Sequence, residues 1–181
     1  MVDLIGLVLA GGQSSRMGRD KAELVLDNER LVDRSTALLK SAGCKEVLLS
    51  GANGLADRYP KGGPLSGIDA AVSTLPDASK LLIIPVDMPN LTACLLQGLV
   101  QQAQTKTGGH FCLQPLPCYL IVSPELRKYL LNVLTQPNSD RSLFRMFQEL
   151  GVPEISQPEN SKTLFDNCNT PEQFTAMGGR L

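Results

Sequence analysis

An apolar run from Leu4 to Leu9 passes without a break into Leu9-Ala-Gly-Gly-Gln-Ser-Ser-Arg-Met-Gly-Arg-Asp-Lys21. No other stretch limits the possible folds so tightly. A buried strand has to end where the glycines begin. Gly11 and Gly12 carry no Cβ, so the backbone there can turn sharply and bring N–H groups against phosphate oxygens. Arg16 grips oxygens with a planar fork, and Lys21 adds a mobile point charge. Arg16, Arg19 and Lys21 against Asp20 leave a local surplus of two positive charges in a chain whose formal net charge is −1. A polar turn would explain a lone glycine pair. The cations that follow predict a loop that holds a triphosphate. Gly11-Gly12 followed by Gly18 does not give the G-x-G-x-x-G spacing of dinucleotide-dependent oxidoreductases.

Further along, Val47 to Leu49 and Leu81 to Ile84 are short aliphatic runs of the kind that form strands buried on both faces. Helical spacing fills the gaps. Leu31, Val32, Ser35, Leu38, Leu39 and Ala42 share one face ahead of Gly43. Ser66 is expected to cap a helix from Gly67 to Leu75, and Thr92 one from Ala93 to Gln104. His110 to Leu113 and Cys118 to Val122 read as strands around a proline-rich bend, and Pro124 to Leu134 as a helix. Ser139 or Asp140 opens a further helix, whose Leu143, Met146, Phe147 and Leu150 make an apolar stripe that reads as core. Thr163 to Phe165 reads as a strand leading through Asn-Thr-Pro into a last helix near Pro171, with Asn169 or Thr170 as its N-cap. Strand and helix alternate, which predicts an α/β domain over residues 1–181 with a mostly parallel central sheet flanked by helices.

The 181 residues are enough for one substantial core, and 43% hydrophobic with 19% charged residues suits a globular chain. The near-neutral charge and the lack of an extended basic face argue against nucleic acid as a partner. Met1-Val-Asp-Leu has no signal-peptide character, and no apolar run approaches the roughly 20 residues that span a bilayer, so no membrane partner and a cytoplasmic location are expected. Five cysteines without a CxxC, and a single histidine, His110, argue against a zinc site or a disulfide framework. Cys44, Cys94 and Cys168 are expected to fill small spaces in the core or at element ends.

Attack at the α-phosphorus of a triphosphate usually needs Mg²⁺, which prefers hard carboxylate and carbonyl oxygens. Asp87 follows Leu81-Leu-Ile-Ile-Pro-Val86 and so stands at the carboxyl end of a strand, the edge where open α/β sheets bind ligands. An aspartate capping the turn before Pro89 is the competing reading. Gly63-Pro-Leu-Ser-Gly67 approaches a helix start, where free N–H groups favour polar or anionic atoms.

The pattern LAGG-x-S-x-RMG-x-DK, with Gly63-Pro-Leu-Ser-Gly67, Pro85-Val-Asp-Met-Pro89 and Asn167-Cys-Asn-Thr-Pro-Glu172, resembles the nucleotidyltransferases of GT-A-like, three-layer Rossmann-type fold. Within them it is most similar to the molybdenum cofactor guanylyltransferases. The resemblance implies transfer of GMP from GTP to the terminal phosphate of molybdopterin, with release of pyrophosphate and with Mg²⁺ as cofactor. It implies catalytic roles for Arg16, Lys21 and Asp87. Nucleotide contacts would come from Leu9, Ala10, Gly11, Gly12, Lys21, Ser50, Gly63, Pro64, Leu65, Gly67 and Asp87, and metal contacts from Asp87 and Asn167, with Asp166 as the local carboxylate alternative.

The segment between Leu49 and Gly63 departs from this family, whose members usually carry another strand there, ending in an acidic residue that helps select guanine. Those members also end the preceding strand in an asparagine, where Ser50 stands here, and Asn53 or Asp57 is left to accept from a purine 2-amino group. Two alternatives therefore stand beside GTP and molybdopterin. One is the same chemistry with CTP, ATP or a sugar-phosphate acceptor. The other is a non-catalytic nucleotide- or cofactor-binding module that assembles with molybdoenzyme partners.

Overall fold

Leucine and isoleucine fill both faces of β5 (Lys80–Pro85): Leu81 and Ile83 enter one apolar cluster, Leu82 and Ile84 the other. The same alternation runs through β1 (Leu4–Leu9), with Leu7 and Leu9 on the first side and Val8 on the second. A strand buried on both faces needs a helical layer on each, so the continuous apolar runs themselves dictate three layers. The computed structural model describes residues 3–11, 23–51, 54–103, 107–168, 170–176 and 179–180.

Helices α1 (Leu31–Ser41) and α3 (Ala93–Gln102) cover one face through Leu31, Leu39, Leu95, Leu96 and Leu99. The other face is covered by α2 (Pro64–Thr74), α4 (Pro124–Thr135) and α5 (Leu143–Leu150), through residues such as Ile68, Leu130 and Phe147. The remaining strands of the sheet are β4 (Glu46–Ser50), β6 (Gly108–Phe111), β7 (Cys118–Ile121) and β8 (Glu154–Ile155). Their spatial order is β4-β1-β5-β7-β6-β8. Only β7 runs against its neighbours, so the sheet is mostly parallel, as the alternating pattern predicts.

The register places the site. Leu9 pairs with Ser50 on one side and with Pro85 on the other, so three parallel strands end level with one another. The amide of Val86 then donates to the Leu9 carbonyl at 3.2 Å, holding the two outgoing chains together just past the sheet.

Several local expectations are corrected. Helix α2 begins at Pro64 with Gly63 as N-cap, rather than at Gly67 behind Ser66. Proline at the first helical position gives up an N–H that would be unpaired anyway. Helix α5 is capped by Ser142, whose Oγ accepts from the Arg145 amide at 3.2 Å, not by Ser139 or Asp140. Lys162–Phe165 is a 3₁₀ turn rather than a strand. The sheet edge beside β6 is already taken by β8, paired His110 to Glu154 and Phe111 to Ile155. Phe165 instead packs edge-on against Phe111, 5.5 Å between centroids. Cys94 is exposed, not a core filler, while Cys44, Cys118 and Cys168 are buried.

A small second sheet was not anticipated. It joins β2 (Val25–Leu26), β3 (Glu29–Arg30) and β9 (Gly179–Arg180) in the order β3-β2-β9. Asp27 and Asn28 both have positive φ, 51° and 66°, the geometry of a tight two-residue hairpin. The last helix, α6 (Pro171–Ala176), is opened by Thr170 in a reciprocal cap: Thr170 Oγ1 accepts from the Gln173 amide, and the Gln173 side chain accepts from the Thr170 amide. Among the described residues no helix is long and apolar enough to cross a membrane.

Candidate active site

Where β4, β1 and β5 end together, the chain leaves a cavity of about 690 Å³. Of the residues singled out for a nucleotide, Leu9, Gly11, Ser50, Gly63, Pro64 and Gly67 line it, beside Pro85 from the end of β5. Two close approaches shape its floor. Gly51 sits at φ +111°, and a Cβ there would lie 3.0 Å from the Gly11 nitrogen, so the turns after β1 and β4 touch through bare backbone. A Cβ on Gly67 would lie 2.8 Å from both Ser50 Oγ and Leu9 Cδ2, so α2 is drawn against the two strand ends only because that position is glycine. The first turn of α2, with no side-chain cap at Gly63, thus faces a space bounded by strand ends.

Other expected residues fall elsewhere or outside the described set. Leu65 is fully buried in the core under α2, and Ala10 packs against the opposite core. Gly12, Arg16 and Lys21, together with Arg19, Asp20, Asn53 and Asn169, lie outside the described residues. Asp57, Pro60, Lys61 and Leu116 complete the lining. Only Asp57 had a sequence signal, as a stand-in base acceptor. Lys61 and Leu116 carry none, because their place depends on how distant segments pack.

Asp57 is the one carboxylate on the cavity wall among the described residues. Burial pushes its pKa above the ordinary carboxylate value, and the negative charge of Asp69 pushes it the same way.

Asp87 and Asn167, chosen separately along the sequence, come together. Asp87 is half-buried just past β5, and its carbonyl accepts from the Cys168 amide at 2.8 Å. The half-buried Asn167 is therefore neighbour to Asp87, whereas Asp166 is exposed. Among the described residues no group of three or more acidic, histidine or cysteine side chains could cage a metal. A carboxylate and an amide carried by two segments that meet through the main chain suit an ion that takes a few hard protein ligands and fills its shell with water and substrate phosphate, which is the habit of Mg²⁺.

Neither the buried thiols nor the histidine is placed for covalent catalysis. Burial pushes the Cys44 thiol up to about 12 and raises that of Cys118 as well. His110 is a core residue: its ring stacks on Phe147 at 4.2 Å, and its Nδ1 lies 3.0 Å from the Phe111 carbonyl and 3.2 Å from that of Gln114.

Known proteins share both sequence and shape with this arrangement. Over 180 residues the chain is 37% identical to a molybdenum cofactor guanylyltransferase of Xanthomonas euvesicatoria, covering 95% of this chain and 93% of that protein. It is 36% identical to a probable molybdenum cofactor guanylyltransferase of Opitutus terrae, covering 93% and 92%. The crystal structure of molybdopterin-guanine dinucleotide biosynthesis protein A from Archaeoglobus fulgidus superposes with a TM-score of 0.73 over 96% of both chains at 20% identity, a likeness of fold. The family model described as the MobA-like NTP transferase domain matches residues 6–153, a span that holds the three level strand ends, the cavity and Asp87. With a cavity at the carboxyl edge of a mostly parallel sheet and relatives alike over nearly their whole length, the chain belongs to the MobA-like NTP transferase family.

Proposed function

We propose that this nucleotidyltransferase joins GMP, taken from GTP, to the terminal phosphate of molybdopterin and releases pyrophosphate. The observation that carries the reading is the cavity bounded by Leu9, Gly11, Ser50 and the first turn of α2, with Asp87 standing past the end of the adjacent strand. The names of the relatives supply the base and the acceptor.

An oxygen of the acceptor phosphate attacks the α-phosphorus of GTP, the bond from that phosphorus to the bridging oxygen breaks, and pyrophosphate departs. The chain's residues bind and orient rather than form a covalent intermediate. Backbone N–H groups at Gly11 and Gly12 cradle the phosphates, Arg16 fixes their orientation, and Lys21 neutralises the departing pyrophosphate. Asp87 and Asn167 would hold Mg²⁺. When bound, the ion draws charge from the triphosphate oxygens and so permits approach of a second phosphate. Ser50, Gly63, Pro64 and Gly67 receive the sugar and base, and Asp57 offers a carboxylate to the adjacent N1–H and 2-amino donors of guanine.

The product identifies the reaction. Mass spectrometry of a mixture of the protein, GTP, Mg²⁺ and molybdopterin should show molybdopterin enlarged by one guanylyl group. Unchanged molybdopterin in the presence of folded protein would refute the reading.

A further inference from the structure

Asp57, Pro60 and Lys61 place segment 57–61 on the cavity wall, yet this segment belongs to no strand. The Ser50–Leu55 bridge ends just before it. It is fastened instead to α2 and to the turn before α5. Arg58 Nε donates to Asp69 Oδ2 at 2.8 Å, and Nη2 donates to Oδ1 at 2.7 Å. The Tyr59 carbonyl accepts from Ser66 Oγ at 2.5 Å, and the Lys61 carbonyl from Arg141 Nη1 at 3.2 Å.

Asp69 is out of keeping with its helix. Its side chain is 3% exposed, on a helix whose Ile68, Ala70, Ala71 and Val72 are all buried. A carboxylate in such surroundings is costly, and an apolar residue would hold the helix to the sheet as well or better. What the carboxylate adds is geometry: a planar guanidinium held by two parallel bonds has fixed position and orientation. The Arg58 backbone is thereby fixed too, with a cavity-lining residue directly before it and two more within three residues after it. The guanidinium is itself half-exposed, so the pair ties the surface wall to the buried helix whose first turn forms the next wall.

We propose that Arg58 and Asp69 form a positioning pair for the nucleotide: they hold the 57–61 wall against the cavity, so that Asp57 and its neighbours meet the bound base and sugar. The inference rests on reading the cavity as the nucleotide site. Neither residue touches the nucleotide.

Calorimetric titration of GTP into the full chain tests it, using the parent, Arg58→Lys, and the double variant Arg58→Met with Asp69→Leu. Lysine keeps the charge and loses the fork. The double substitution removes the buried charge together with its partner, a change that usually leaves stability intact or raised. Both variants are expected to bind GTP about tenfold or more weakly, and in turnover the loss should fall on KM for GTP with kcat within about threefold of the parent. The double variant should melt no lower than the parent, which separates positioning from stabilisation. Parent-like GTP affinity in Arg58→Lys or in the double variant would overturn the pairing role while leaving the proposed reaction standing. A parent that binds no GTP would remove both.

Discussion

The amide of Cys168 donates to the carbonyl of Asp87 at 2.8 Å, and this one main-chain bond links the end of β5 to the asparagine motif near the far end of the chain. Asp87 and Asn167 are consequently neighbours because backbone meets backbone, and their side chains can be altered without removing the link. Asp87→Ala is expected to lower turnover by at least a hundredfold, on the order of 3 kcal/mol of transition-state stabilisation, with little change in melting temperature. Asn167→Ala should act in the same direction and less severely. Steady-state rates beside thermal melts decide it, and turnover within a few-fold of the parent for Asp87→Ala would remove that residue from the reaction.

Gly67 tests whether the closeness of α2 to the strand ends matters. A methyl group there would meet Ser50 Oγ and Leu9 Cδ2 at 2.8 Å and must push the helix or those side chains aside. Overpacking of this kind costs about 1–3 kcal/mol. Gly67→Ala should lower the melting temperature and also weaken nucleotide binding, because the displaced groups line the cavity. Unchanged GTP affinity would show that the nucleotide does not sit against this junction.

Asp57 has a pH signature. Its folded-state pKa is raised, chiefly by burial and then by Asp69. The ionised side chain therefore opposes folding above that value, and the opposition fades as pH falls through it. Asp57→Asn removes the charge, so the variant should melt higher than the parent at pH 7. The gap should close below about pH 4, where the carboxylate is protonated in the unfolded chain too. Melts of both proteins from pH 8 to about pH 3 give the comparison, and a variant that is less stable at pH 7 would contradict the assignment.

The parts legible in the sequence are those whose pattern is local. Leu4–Leu9 and Lys80–Pro85 could be read because apolar residues on both faces leave a strand covered by two layers as the economical solution. Helix starts are less local. Gly63 with Pro64, and Ser66 three residues later, are both acceptable openings, and only the packed helix chooses. Lys162–Phe165 was misread because a short apolar run has too few residues to show its period, and the competing partner for β6 lay elsewhere in the chain. The hairpin at Asp27-Asn28 carries a local turn signal, but its strands are two residues long and show no period. In the site, glycine turns and strand ends are legible, but of the 57–61 wall only Asp57 is, since the segment stands where a tertiary ion pair holds it.

Cysteine chemistry is expected to play no part. Cys44, Cys118 and Cys168 are buried, and burial holds the Cys44 thiol near 12. Alkylation of the folded protein at pH 8 should label the exposed Cys94 and spare those three. Turnover should remain within about twofold of the untreated protein, since the transfer requires no covalent intermediate. Inactivation that tracks labelling of one cysteine would require a different mechanism.

Pyrophosphate release by the purified protein, with Mg²⁺ and molybdopterin and with GTP, CTP and ATP supplied in turn, tests the central claim most directly. Release with GTP and not with the others is the predicted result, and it would make the short segment after Ser50 a working variant of a guanine site. Release with none of the three, from protein shown to be folded, would contradict the account and leave a binding module in place of an enzyme.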